Sequence, residues 1–564
     1  MAGATGFRSV TEDPLTFAIQ LVRRFPAAQV PLQALSRSMG AAERELVGIW
    51  LSGDLVATRA ELVELASRGS LSPVAAEIAQ AAGVPELVVD DPHVRVATRA
   101  RAAWQLGEAT RAIALLAEHR PGSRLHRALR AELALMTPGT RLRWSPGALD
   151  VPPAAQTRVL HLLTNSLPHT QSGYTVRSHA VLKAQRDAGL DPLVMTRVGY
   201  PVVVGGLGAA AVDVVDDIEY HRALPTRLAP TPDGRLVQQA DALLALAARV
   251  SPSALQTTTH YPNALVVREV AEALSLPWAY EVRGMLEQTW VAGLGSEEAR
   301  ARASASERFR LTREREAELA SAADTVFTLS GSMRDDLAAR GVPRDRIALV
   351  PNGIDEALLE RTPPAPADAR EALGLPRDGF WVGSTSSLVD YEGFDVLLDA
   401  VALARADGHD VRVLLVGDGT ARQGLESQAA ALGLGEVAHF TGRVPRDAVT
   451  AYRDAFDLFV VPRLDREVTR TVPPLKPIEA MASGRPLLVS ALPPLLEVIG
   501  DELAAKGAAV PPGDAPALAA AIGRALTDEV LRVDMIAPAR SRAATRTWRS
   551  LGQIYAGAFL AIGK

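Results

Sequence analysis

The sequence contains no cysteine, which excludes disulfides and thiolate metal centres. No apolar run approaches the roughly 18 residues a spanning helix needs. The first residues lack the charged start, apolar core and cleavage site of a secretory leader. A large charge imbalance is also missing. The net charge of −5 argues against nucleic-acid binding, which depends on clustered cations. The compartment expected from these absences is the cytoplasm, and a peripheral contact with the inner face of the membrane would leave no mark in composition. What is present is 564 residues with 48% hydrophobic and 22% charged content. That is a folded chain with ample core, and at about 150 residues per domain it makes three or four domains.

Residues 1–150 read as helical. Leu46, Ile49, Trp50 and Leu51, then Leu62, Val63 and Leu65, recur at three- and four-residue spacing. Arg99 to Leu116 faintly resembles a tetratricopeptide repeat. This segment has two readings: an accessory domain for protein contacts or oligomerisation, or a structural extension of the neighbouring domain. Pro146–Pro153 (PGALDVPP) is a proline-punctuated linker, and few contacts are expected across it.

A strand at Arg158–Leu163, a loop containing Gln171-Ser172-Gly173-Tyr174, a helix over about 176–188 and a strand at Pro192–Thr196 form a βαβ unit. Leu255–Tyr261, Trp278–Val282 and Thr325–Leu329 are further strands. His260 and Arg283 fall at or just past strand C-terminal ends, where ligands bind in such sheets. His260 can be read either as a hydrogen-bonded structural residue or as a ligand-facing one. Glu297 to Glu318 is dense in both charge signs and predicts an exposed helix. Arg361–Ala369 (RTPPAPADA) is a Pro/Ala-rich connector, which locates an interdomain hinge nearby.

The next domain opens with a strand at Trp381–Gly383 and a loop through Ser386 and Ser387. A strand at Val411–Val416 ends in Gly417-Asp418-Gly419. Leu458–Val461 forms another buried strand. The irregular segment behind it carries Pro473, Pro474 and Pro477. Pro477 suits the first position of a helix, which puts Lys476 at its N-cap and Glu479 in its first turn; Gly484 stops it. A cation at a helix N-terminus is misplaced unless an anion lies there, and Arg463 at the strand end adds a second cation. A phosphate would account for both; a loop of solvated charges is the alternative. Ser541–Ile562 predicts one terminal helix with Trp548, Leu551, Ile554, Tyr555 and Phe559 on one side.

From Arg158 onward the chain resembles glycosyltransferase family 4, retaining sugar-nucleotide enzymes of the GT-B fold. Glu479-Ala480-Met481-Ala482-Ser483-Gly484-Arg485-Pro486 matches the second half of that family's donor motif. Val350 to Asp355 resembles its V-x-N-G-V-D, and His439 to Val444 its F-x-G-x-V. A polysaccharide-type subgroup shares the Y-E-G and P-L-K-P-x-E-A-M-A patterns. Thr471 replaces the motif's first Glu, and Val472-Pro473-Pro474 the usual Gly-Phe-Gly. Ser387 and Glu392 stand where most members carry the Arg and Lys that clamp the diphosphate.

The resemblance implies an α/β protein of two Rossmann-like doubly wound domains facing a cleft, after an all-helical N-terminal domain. Its parts would be 1–150 (helical), 151–360 (acceptor), 361–540 (donor) and 541–564, a helix crossing back. It implies transfer of a sugar from UDP or GDP to a saccharide or lipid-linked acceptor, in cell-surface polysaccharide or glycoconjugate synthesis, with no cofactor beyond the donor and no metal. Arg463, Lys476, Glu479 and Arg283 are the expected catalytic group. Gly173, Ser386, Ser387, Arg443, Val444, Thr471 and Leu475 are expected on the donor side, and Tyr174 and His260 on the acceptor side. A nucleotide-sugar 2-epimerase of the same fold and an inactive sugar-nucleotide-binding scaffold are the alternatives.

Overall fold

The computed structural model describes residues 40–147, 157–206, 208–294 and 296–562; most of the linker at 146–153 lies outside them. Two α/β domains form the centre. The first is built on β1 (Arg158–Leu163), β2 (Asp191–Thr196), β3 (Val212–Val215), β4 (Ile218–Arg222), β5 (Ala254–Thr258), β6 (Trp278–Val282), β7 (Thr325–Thr328) and β8 (Ile347–Leu349). Their order is β3-β4-β2-β1-β5-β6-β7-β8, parallel except for β3. The second contains β9 (Phe380–Thr385), β10 (Val411–Val416), β11 (Ala438–Gly442), β12 (Leu458–Val461), β13 (Leu487–Ser490) and β14 (Ala509–Val510), all parallel, in the order β11-β10-β9-β12-β13-β14. β5, β6, β7, β12 and β13 are buried along their whole length. Apart from Gln256, Glu281 and Ser490 they read as apolar or β-branched runs, because helices cover both faces of the sheets. In each sheet the strand order reverses beside the first strand, between β1 and β5 and between β9 and β12. Ligands of doubly wound sheets bind at such points, beyond the strand C-termini.

The chain passes between the domains twice, side by side. Ile354 pairs with Thr547: its N–H donates to the Arg546 carbonyl and its own carbonyl accepts from Trp548, both at 3.0 Å. This corrects two expectations. The Pro/Ala-rich connector is not the crossing, because Arg361 is already bound to Asp454 and Arg370 to Asp457 of the second domain. The terminal segment is two helices, Glu529–Ala544 and Trp548–Ile562, separated where the chain crosses. The last helix docks on the first domain, with Leu551, Tyr555 and Phe559 packed against Val159, Val181 and Phe327.

Six helices between Ala41 and Met136 precede the first sheet, with a core of their own around Leu46, Trp50, Leu62 and Ile78. Contrary to the expectation from the prolines, they are tightly joined to the first α/β domain. Leu135, Met136 and Leu142 belong to that domain's core. Arg141 grips Glu269 through two 2.8 Å bonds, and the Tyr261 hydroxyl donates to Glu132 at 2.9 Å. Gly107 has φ +85°, and a Cβ there would lie 2.8 Å from the Trp290 ring, so a larger residue would separate the two bodies.

The charged run 297–318 is an exposed helix only in its first half, where Glu297–Ser304 buries just Ala303. It forms Glu297–Ser304 and part of Glu307–Ala322, and the latter buries Leu311, Arg315, Glu316 and Leu319. Its charges are consumed in docking: Arg315 donates to the Leu135 carbonyl at 3.0 Å and to Glu318 at 2.7 Å. Among the described residues no helix is long and apolar enough to cross a membrane.

Candidate active site

At the reversal point of the second sheet, the loops after β9 and β12 bring four side chains together. Arg463 follows β12, and its guanidinium reaches Glu392 at 2.8 and 3.3 Å. Its remaining nitrogen donates to the Val472 carbonyl at 2.9 Å. Lys476 donates at 2.6 Å to Glu392 Oε2, the oxygen that also accepts from Arg463 Nε, and to the Ser386 hydroxyl. Arg463 and Lys476 are therefore neighbours, as the sequence suggested. The anion between them was not foreseen: Glu392 is 4% exposed and lies between the two cations. Burial alone would raise its carboxyl, but the two cations outweigh burial and hold it down to about 2. Burial lowers the Lys476 ammonium to about 8, with Arg463 adding to the shift and Glu392 opposing it. The group carries one net positive charge.

The helix behind this group, Lys476–Ala482, starts one residue earlier than predicted. Leu475 already has helical angles (φ −72°, ψ −31°) and is the N-cap, so Lys476 is the first helical residue. Glu479 is one-third exposed and accepts from Arg453 at 2.7 Å through one oxygen. Its other oxygen has no protein partner among the described residues. Thr471 ends a short helix, Glu467–Thr471, with its hydroxyl donating to the Glu467 carbonyl at 3.0 Å. Ser387 and Arg443 are exposed and Val444 half-buried beside the sheet. The glycines at the strand ends set the loop spacing. A Cβ on Gly417 (φ +139°) would lie 1.8 Å from the Ser386 carbonyl oxygen, so only glycine lets the loops after β9 and β10 touch.

Across the cleft, Ser172 caps the helix Gly173–Asp187. Gly173 faces Leu475; a Cβ there would meet its methyl at 3.7 Å. The Tyr174 side chain stands close enough to feel the charges of both Arg283 and Arg463. Arg283 does not open onto the cleft as expected. It is 3% exposed, paired with Glu281 at 2.7 Å and hydrogen-bonded to the Ser178 hydroxyl and the Tyr174 carbonyl. Glu281 explains this. It is a fully buried carboxylate at the end of β6, held by Arg177 at 2.9 Å, by Arg283 and by the Tyr555 hydroxyl at 3.0 Å. Burial would raise it, but the arginines pull it down to about 2. Arg283 thus supports the backbone of the Gly173–Tyr174 turn. His260 lies half-buried at the end of β5, and burial followed by the Arg197 charge lowers its ring to about 4, so it is neutral.

The two halves meet directly. Asn352 donates to the Pro473 carbonyl at 3.2 Å, the Ser330 hydroxyl to the Thr471 carbonyl at 3.3 Å, and Gln288 to Glu467 at 3.1 Å. Sequence reasoning missed Glu392, Arg453 and Glu281. The signal for the first was its departure from the family's cation, read in isolation from the two cations that compensate it. Arg453 and Glu281 left no local signal, because their partners are 26 and 104 residues away.

Two family models match the chain: glycosyl transferase 4-like domain over residues 172–353 and glycosyl transferases group 1 over residues 367–542. Among curated proteins, 2-deoxystreptamine glucosyltransferase of Streptomyces kanamyceticus is 29% identical over 36% of this chain and 51% of its own length. Phosphatidyl-myo-inositol mannosyltransferase of Mycobacterium leprae is 33% identical over 33% of this chain and 46% of its own. The chain spans about half the length of the curated relatives it matches. Among solved structures, Anabaena HepE in complex with UDP and glucose has a TM-score of 0.55 at 18% identity, covering 72% of this chain and all of the other. Sucrose-phosphate synthase of Thermosynechococcus elongatus has a TM-score of 0.55 at 22% identity, with the same coverage. Both likenesses concern the fold. Residues 172–353 and 367–542 therefore match the glycosyl transferase 4-like and glycosyl transferases group 1 domain families, and the fold that carries them is GT-B.

Proposed function

We propose that the protein moves a sugar from a nucleoside diphosphate sugar, UDP- or GDP-linked, to a saccharide or lipid-linked acceptor, with retention at the anomeric carbon. The observation that carries this reading is the juxtaposition of Arg463 and Lys476 at the reversal point of the second sheet, in a group with one net positive charge. The names of the curated relatives, a glucosyltransferase and a mannosyltransferase, support sugar transfer as the reaction class.

In this reading the donor's diphosphate lies against Arg463, Lys476 and the Ser386–Ser387 loop. The nucleobase rests on the backbone at Arg443 and Val444, and the free oxygen of Glu479 accepts from the ribose. The glycosidic C–O bond breaks toward the diphosphate. Its developing negative charge is met by groups already in place, a contribution of a few kcal/mol per donor. The acceptor hydroxyl attacks from the same face and passes its proton to the departing phosphate oxygen. Arg463 and Lys476 supply the positive charge, so the reading assigns no role to a metal. Labelled UDP- and GDP-sugars, incubated with and without cell-derived acceptors, test it. Label appearing on the acceptor is the expected result. An epimerised donor formed without acceptor, or nucleotide binding with no turnover, would replace it with an epimerase or an inactive scaffold.

A further inference from the structure

Beside the cleft, a crevice of about 250 Å³ lies between the domains. One wall comes from the helices Leu286–Ala292 and Glu297–Ser304 of the first domain, through Gln288, Arg300 and Ser304. The other comes from the segment after β12, through Arg466, Glu467 and Arg470, and Val291 and Ala292 supply its apolar surface. The volume falls just below the range of pockets for drug-sized ligands and suits a single sugar ring. Arg466 is three residues from Arg463, which keeps their Cα atoms within roughly 10 Å of each other.

The charges in the crevice are unequally engaged. Arg470 is paired with Asp465, at 2.7 Å through one nitrogen. Glu467 accepts from Gln288 across the domain boundary. Arg300 uses one nitrogen on the Leu294 carbonyl at 2.9 Å. The half-buried Arg466 guanidinium donates to no carboxylate or carbonyl among the described residues. Three arginines against Asp465 and Glu467 leave one positive charge, and the uncommitted donors are those of Arg466 and Arg300, one on each domain.

Resting on the proposed sugar transfer, we infer that this crevice is the acceptor subsite and that it takes a saccharide bearing an anionic group, a carboxylate or a phosphate. Arg466 and Arg300 bind the anion from opposite domains, and the Gln288–Glu467 bond closes over the ring. An acceptor held there bridges the two halves, so it binds best when the domains are closed on a donor.

The test uses the full chain. Glucose, glucuronic acid and glucose 6-phosphate are titrated by saturation-transfer NMR, with and without UDP or GDP. Binding of glucuronic acid or glucose 6-phosphate that weakens with salt, and that Arg466→Ala weakens about tenfold to a hundredfold, supports the site; which of the two binds distinguishes carboxylate from phosphate. Arg300→Gln is the second variant, used if Arg466→Ala does not fold. Equal binding of glucose, binding insensitive to both variants, or no binding of any sugar overturns the proposal. UDP or GDP binding on the same sample separates the two levels: nucleotide bound without anionic sugar refutes the subsite alone, whereas no nucleotide binding refutes the sugar-transfer reading.

Discussion

Replacing Glu392 with Gln tests whether a buried carboxylate stands in for substrate phosphate. The substitution keeps the side chain's shape and one acceptor oxygen but removes the charge between Arg463 and Lys476, which lie 2.8 and 2.6 Å from it. Two neighbouring buried cations are then left without an anion, and breaking a buried pair typically costs about 3–5 kcal/mol. At about 2–4 °C per kcal/mol for a domain of this size, the melting temperature falls on the order of 10 °C. Added diphosphate should restore it. In the wild type Glu392 repels the phosphates; a unit charge about 4 Å away is worth about 4 kcal/mol at an effective dielectric near 20. A third of that is already tenfold in affinity. Glu392→Gln should therefore gain at least about tenfold in UDP or GDP affinity relative to the parent nucleoside. Its thermal shift on saturation should exceed that of the wild type. Scanning calorimetry across a nucleotide titration measures both. Equal diphosphate protection of the two proteins would refute the idea that Glu392 and phosphate compete for the same cations.

Three further outcomes rest on the same contacts. Lys476 loses its proton near pH 8 in the folded protein, so diphosphate affinity should fall above that pH while nucleoside affinity holds. Lys476→Arg should move the fall to higher pH; a flat profile would remove Lys476 from the phosphate site. Folding stability responds with the opposite sign, because the unfolded chain keeps this proton up to about pH 10.5 and so gains protons relative to the native state between those values. Glu479→Gln should lower donor affinity by about tenfold or more through loss of a charge-assisted bond while melting shifts little; a large melting shift with unchanged affinity would make Glu479 only the partner of Arg453. Deleting residues 1–145 should yield insoluble protein, because it strips Leu135, Met136 and Leu142 from the first domain's core and removes the Leu135 carbonyl from Arg315 and Arg141 from Glu269. A soluble, cooperatively melting truncation would show that these contacts are dispensable.

The sheets were legible in sequence because buried parallel strands are predominantly apolar on both faces, as in β1, β6 and β10, whose limits coincide with the expected ones. β3 and β4 were not, since a short antiparallel edge with exposed Val212 and Val214 has no such constraint. Arg463 and Lys476 were found because each is locally anomalous: a cation at a strand end, and a cation at a helix start. Glu392 was legible only as a departure from the family's cation. Its role depends on its approach to residues 71 and 84 positions away, which makes it the anion of a triad with one net positive charge. The failure at the N-terminal segment has another cause. Prolines report on the backbone of a linker, not on the surfaces it joins, and those surfaces meet through Gly107, Arg141 and Tyr261.

The central claim, that Arg463 and Lys476 hold a diphosphate, is tested most directly by titration calorimetry of nucleoside, nucleoside monophosphate and nucleoside diphosphate against wild type, Arg463→Ala and Lys476→Ala. Affinity in the wild type should rise with each phosphate. Each variant should lose about tenfold to a hundredfold for the diphosphate and bind the nucleoside as before. Diphosphate affinity unchanged in both variants would contradict the claim and place the phosphates elsewhere in the cleft.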